Sequence, residues 1–315
     1  MKETMGLKIF ILFFVIMFCS VFGADAQQVS TIKVGLYPYG VAVHPSGTKV
    51  YVANSGNDNI SVIDTADNKA GSVKVGLYPG GLAINPEGTK AYVANCAGDT
   101  ISVVDIYKYT LIDTIKVGLY PCGVVANKED KKVYVANYGS DTVSVIDIPT
   151  RNVTHIKVGL KPCGLALSSD GQKLYVAGYK VDVIDTTSNT LIGSYDVGSY
   201  RSYGIAVNRD NTRIYVVNYG SDTLSVIDTT SNKISSIKVG LYPFGVAINS
   251  SGTRVYVTNS EDNTVSVIDT SNNNVINTIK TGLRPYCLEI STDNKKLYVA
   301  NNGEDTLSVI NITDQ

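Results

Sequence analysis

Tryptophan is absent from this 315-residue chain, histidine occurs twice, and Lys+Arg 27 almost balance Asp+Glu 28. A formal charge of −1 leaves no basic surplus to grip a phosphate backbone, which argues against a nucleic-acid binder. Only 17% of the residues are charged while 44% are apolar, the composition of a chain that can bury a core rather than a disordered one. Two histidines, His44 and His155, fall in different parts of the repeating unit described below, so a Ser-His-Asp triad and a multi-histidine zinc site are both disfavoured. Methionine and phenylalanine are scarce in an uneven way. Met1, Met5, Met17 and five of the six Phe precede residue 27, and Phe244 is the sixth. Past that point the aromatic content is Tyr, of which the chain has 21.

The first 26 residues have the order of an export signal. Lys2 and Lys8 precede an uncharged apolar run, Ile9 to Gly23, and Ala24-Asp25-Ala26 offers small residues where a signal peptidase reads. The run is shorter than the ~20 residues a membrane-spanning helix needs. Cleavage after Ala26 is expected, with an uncleaved anchor as the alternative, and residues 27–315 then form one domain of an extracellular or cell-surface protein.

That domain is a repeat. KVGLYP or a variant recurs with Gly35, Gly76, Gly118, Gly159, Gly198, Gly240 and Gly282. YVAN or a variant recurs with Tyr51, Tyr92, Tyr134, Tyr175, Tyr215, Tyr256 and Tyr298. SVIDT or a variant recurs with Asp64, Asp105, Asp147, Asp185, Asp228 and Asp269, then Asn311. Each unit holds four short segments rich in Val, Ile and Tyr, separated by Gly/Pro/Asn/Asp turns, which predicts four strands, A to D, and no helix. A period near forty residues built of strands alone predicts an all-β, seven-bladed propeller. The last unit stops at its third strand, and an orphan strand-like segment, Ser30 to Val34, precedes the first. The N-terminal segment is therefore expected to join the last blade and close the ring, covering an open edge. Lys33, Lys74, Lys116, Lys157, Lys238 and Lys280 recur on the outer D strands, where a charge discourages edge-to-edge pairing between molecules.

The strings YVANSGNDNISVIDT, YVANYGSDTVSVIDI and YVTNSEDNTVSVIDT resemble the YVTN-type β-propeller repeat found in surface-layer and cell-surface proteins of methanogenic archaea. The resemblance runs over residues 29–312. It implies an extracellular structural or binding module whose partners are other surface proteins or glycans, with no cofactor. Lactonases and redox enzymes share related propellers, so the fold by itself leaves catalysis open.

Two repeated polar positions read as structural. The Asp64 series follows strand C and can accept from turn N–H groups, and the Asn54 series ends strand B. Cys96, Cys122, Cys163 and Cys287 all fall on the face that carries the D–A and B–C connections. They read as buried thiols, as a disulfide drawn from Cys96, Cys122 and Cys163, or as metal or redox ligands, although the paired spacing of a zinc site is missing. Tyr gathers on the same face. Tyr39, Cys122, Cys163, Tyr203, Phe244 and Tyr286 are expected at the channel mouth, either lining it or packing it. Symmetry breaks around the fourth unit, which loses three residues before Asp185, while Ser199 to Tyr203 replaces the Leu-Tyr-Pro pattern. Lys161, Tyr179, Lys180, Tyr200, Arg201 and Tyr203 are the candidate ligand residues of the resulting notch, with an anionic ligand expected; neutral drift in a tolerant loop is the competing reading. Asn152 and Asn249 are the better-placed glycosylation sequons. No metal site and no catalytic residue is assigned. The functional expectation is a non-catalytic surface propeller for assembly, adhesion or recognition. A glycan- or anion-binding propeller is the alternative, and a lactonase- or lyase-type enzyme a second one.

Overall fold

The computed structural model describes residues 28–198 and 201–312. The expected leader over residues 1–26, and Tyr200 of the notch, lie outside them. The described chain folds into seven four-stranded antiparallel sheets and no helix. Blade one is typical, with strand A at Pro38–Val43, B at Lys49–Asn54, C at Asn59–Asp64 and D at Ala70–Lys74. The other A strands are Pro79–Ile84, Pro121–Ala126, Gly164–Leu167, Ser202–Val207, Pro243–Ile248 and Pro285–Ile290. Each A strand packs beside the A strands of both neighbouring blades, so the seven surround an axial channel. The N-terminal strand Val29–Lys33 pairs antiparallel with Thr306–Asn311, the C strand of blade seven, as its outer neighbour.

The core lies between blades. B and C strands are covered on both faces, and their residues are therefore apolar in unbroken runs rather than in alternation. Tyr51, Ile60 and Val62 of blade one, for example, pack against Ala91, Val93 and Val104 of blade two. The Tyr of each YVAN string sits in these layers almost without solvent contact. D strands bury little more than one side chain apiece, and their lysines are exposed.

Six of the seven blades are tied to their lead-ins by a buried polar pair. In six blades the Asn ending strand B donates its amide to a Ser of strand C, at 2.8–3.0 Å. The same Asn accepts the N–H of the lead-in glycine where Asn95 meets Gly76 (3.1 Å) and Asn259 meets Gly240 (3.0 Å). A Cβ on Gly76 would stand 2.5 Å from the Asn95 side chain, which is why the KVG glycine recurs. Two residues on, Tyr37, Tyr78, Tyr120 and Tyr242 adopt left-handed backbone angles, φ 49 to 54, unusual for a bulky side chain. The conformation is held from both sides. Tyr78 donates its N–H to Asp58 of blade one at 2.9 Å, and its carbonyl accepts from Cys96 of blade two at 3.0 Å.

Blade four lacks this pair. Gly178 replaces the Asn and Asp182 replaces the Ser, and the Asp182 carboxylate accepts the Gly159 N–H directly at 2.6 Å. Burial raises that carboxyl above its ordinary range, and the Gly159 bond partly offsets the effect. The shortened loop is thus repaired from within.

Candidate functional site

Six of the A strands carry a β-bulge just after their first residue, which turns the next side chain toward the axis. Blade four has no such bulge and starts its A strand at Gly164, with Cys163 held by the Ala177 carbonyl at 2.8 Å. These positions build a stopper at one end of the channel. Phe244 stacks between Tyr203 (centroids 4.6 Å apart) and Tyr286 (4.4 Å). Tyr39 meets Phe244 and Tyr286 edge-on, at 5.4 and 5.5 Å. Both geometries are favoured by the ring quadrupoles. The Tyr39 hydroxyl lies 3.8 Å from the Cys122 sulfur, across the mouth. Beneath the rings is a cavity of about 160 Å³ lined by Tyr39, Cys122, Cys163, Tyr203, Phe244 and Cys287 among others. Burial raises the Tyr39, Tyr203 and Tyr286 phenols, keeping them neutral donors.

Cys122 and Cys163 are joined as a disulfide, with their Cα atoms 5.2 Å apart, stapling blades three and four at the mouth. Cys96 takes no part in it. It is a buried free thiol pushed up to about 12 by desolvation.

The notch residues are divided. The Lys161 ammonium sits over the Tyr138 ring at 4.8 Å, a cation–π contact. Lys180 faces Asp196 at 3.9 Å, both exposed. The Tyr179 N–H is taken by the Leu160 carbonyl at 3.0 Å. Arg201 lowers, and so partly opposes, the burial shift of the Tyr203 phenol, which ties those two residues to the mouth rather than to Lys180. Of the sequons, Asn152 is exposed in a C–D turn. Asn249 is a correction. Its side chain is 3% exposed, its amide oxygen accepts from the Thr253 and Arg254 N–H groups, and its amide nitrogen, the atom a glycan would need, donates to the Thr253 hydroxyl at 3.0 Å, so the folded chain offers no free acceptor there. His44 bonds the Gly88 carbonyl of the next blade and His155 bonds Ser144, far apart in the ring. The Asp64 series accepts turn N–H groups, as Asp105 does from Tyr107 and Lys108, which lowers the Asp105 carboxyl.

Sequence reasoning passed over blade seven. At the second position after the lead-in proline, or after Ser202 in blade five, Gly40, Gly81, Gly123, Gly164, Gly204 and Gly245 are matched by Cys287. Two residues further, Ala42, Ala83, Val125, Ala166, Ala206 and Ala247 are matched by Glu289. A Cβ on any of the six glycines would come within 3 Å of the next blade's carbonyl oxygen. Cys287 places a Cβ at the position where the other six blades have none. Glu289 shares the face of Cys287, toward blade one. It is solvent-accessible, yet the ring encloses it, and desolvation lifts its carboxyl to about 7. Aligning the seven A strands residue by residue exposes both substitutions; attention to loops alone does not.

No family model matches the chain, and no curated protein matches it. Among solved structures it is similar to the hydrazine synthase of Kuenenia stuttgartiensis, with a TM-score of 0.81 and 22% identity over 90% of this chain and 98% of that one. It is also similar to a streptogramin B lyase, with a TM-score of 0.80 and 15% identity over 92% of this chain and 100% of that one. Identities this low establish a shared β-propeller fold and nothing of the chemistry.

Proposed function

We propose that the protein is an exported, non-catalytic cell-surface propeller that works by contact, using the face on which its D–A turns lie. The observation that carries this reading is an exposed apolar ring. Leu36, Leu77, Leu119, Leu160, Leu241 and Leu283 are each about half exposed, and Tyr37, Tyr78, Tyr120 and Tyr242 stand beside four of them. Scattered surface leucines need no explanation, but an array repeated at six of the seven D–A turns forms a patch of the kind that protein contacts bury. Tyrosine suits such a surface, and glycans as well, because it joins an apolar ring to a hydroxyl. The YVTN-type repeat resemblance and the leader-like first 26 residues support export and surface display. Folding apolar side chains outward in a left-handed turn would otherwise carry a penalty without return.

The test is a double variant, Leu77→Asp with Leu119→Asp, compared with Leu111→Asp on an outer D strand as control. Binding to isolated cell-surface material, measured by co-sedimentation, should fall for the double variant and persist for the control. Equal retention of both would sink the reading. A second reading, anion or glycan binding near Lys161 and Arg201, is favoured by the replacement of the repeated Tyr with Lys at position 161. A thermal-shift screen with glycans and anions, repeated on Arg201→Ala, separates the two readings. The lyase and the synthase among the structural neighbours lend no more than their fold, so lactonase- or lyase-type chemistry stays the weakest of the three readings.

A further inference from the structure

We infer that the channel at the seam between blades seven and one binds a small organic ammonium ion, with Glu289 as its counter-charge and the cavity beneath the aromatic stopper receiving its apolar part. The placement follows from strand geometry. Strand A of blade seven runs from the stopper, at Pro285, toward the opposite face, so Cys287 lies near the cavity and Glu289 deeper along the same side. A side chain on an innermost strand reaches solvent through the channel, and Glu289 does so. The matching positions on the other six blades are alanine or valine, so the carboxylate stands alone on an apolar wall.

No ion pair neutralises it among the described residues. On strand B of blade seven, Lys296–Asn301, the residues Tyr298 and Lys296 share its face, and neither bonds it. From blade one, strand A brings Tyr39 as its titratable group, and strand A of blade six brings none. Cys287 is the nearest coupled group, and burial first, then Glu289, pushes its thiol up to about 12. Glu289 is therefore the group in this set that changes charge near neutral pH. Glu289 is exposed to channel solvent, and the low-dielectric apolar walls around it strengthen its attraction for a cation relative to open water. A hard metal ion wants six or more oxygen ligands, which alanine and valine side chains cannot supply. An ammonium ion needs one acceptor, and its hydrocarbon part gains by entering the cavity of about 160 Å³. The seam is also where the glycine ring is interrupted, and Cys287, which interrupts it, lines the cavity.

The probe is benzylammonium chloride, followed by titration calorimetry on the described fold at about pH 8 and about pH 5.5. Saturable binding is expected at the higher pH. It should weaken by at least about tenfold at the lower one, because protonation removes the counter-charge. Benzyl alcohol and calcium chloride should not bind. Glu289→Ala installs the residue of five sibling blades and should leave the protein cooperatively folded while abolishing binding; Glu289→Gln, which keeps the shape, should weaken it at least as much as acid does. Cys287→Gly restores the glycine ring and should weaken binding by removing a side chain that lines the cavity. The inference is overturned if the wild type fails to bind benzylammonium at about pH 8. Binding of Glu289→Ala at wild-type strength, or calcium binding that Glu289→Ala removes, overturns it as well.

Discussion

Blades four and seven both depart from the repeat, and they depart differently. Blade four loses the Asn–Ser pair and three loop residues, yet Asp182 takes over the Gly159 N–H and a disulfide fixes the blade to its neighbour. The lead-in N–H disturbed by the change finds a new partner. Blade seven keeps its Asn–Ser pair, Asn301 to Ser308 at 2.8 Å, but gains Cys287 and Glu289 in the channel with nothing to balance the charge. A broken repeat that is repaired concerns the fold. One that is left with an uncompensated charge has been kept in spite of the fold, and that is the pattern expected of a working site.

Four experiments bear on this contrast. The largest effect should come from removing residues 28–33. Blade seven alone takes its outer strand from elsewhere in the chain, so its C strand becomes an open edge and the thermal midpoint should fall further than for any point substitution. An unchanged midpoint would show that the added strand contributes nothing. Next, reducing the Cys122–Cys163 bond should lower stability by about 2–4 kcal/mol in denaturant titration, and Cys122→Ala should reproduce that loss. Third, Asp182→Ala should cost about 1–3 kcal/mol by stranding the Gly159 N–H, whereas Asp182→Asn, which keeps an acceptor, should cost less. Because the folded carboxyl is raised, its contribution is greatest below its unfolded value and fades as pH rises, a dependence that Asp182→Asn should remove. The smallest effect belongs to Glu289→Ala, because the side chain is exposed to channel solvent and screening discounts the shift. The wild-type carboxyl, raised to about 7, favours the folded state fully below its ordinary value of 4.5, and that benefit is lost as pH rises through about 7. The variant should therefore melt above the wild type at about pH 8 and converge with it at about pH 4. If Glu289→Ala proves the less stable protein at about pH 8, the carboxylate is repaired after all and the contrast with blade four collapses.

The frame was legible because it is written seven times. Turn residues recur at fixed offsets, unbroken apolar runs mark strands buried on both faces, and the polar D strands mark the outer edge. The aromatic mouth could also be read, since the position after the lead-in proline, or after Ser202 in blade five, collects Tyr39, Tyr203, Phe244 and Tyr286. Three things escaped. The exchange of Asn–Ser for Gly178 and Asp182 makes sense only once the side chains are seen to touch across two strands. The choice of Cys163 rather than Cys96 as the partner of Cys122 depends on which side chains the bulges turn inward. Asn249 looked like a turn residue open to modification, and is instead the acceptor that organises its own turn.

The left-handed turns held between neighbouring blades have a consequence for valency. Since each exposed Leu–Tyr pair is pinned by a carboxylate on one side and a peptide N–H on the other, the pairs cannot shift independently. They stand at fixed intervals round a circle. A partner with several matching sites, such as an ordered lattice or a repeating polymer, pays the entropy of docking once and then engages the remaining pairs at high effective concentration. Feeble affinity for a single pair is then enough for firm attachment to a periodic surface, while an isolated ligand would scarcely be held by that face at all.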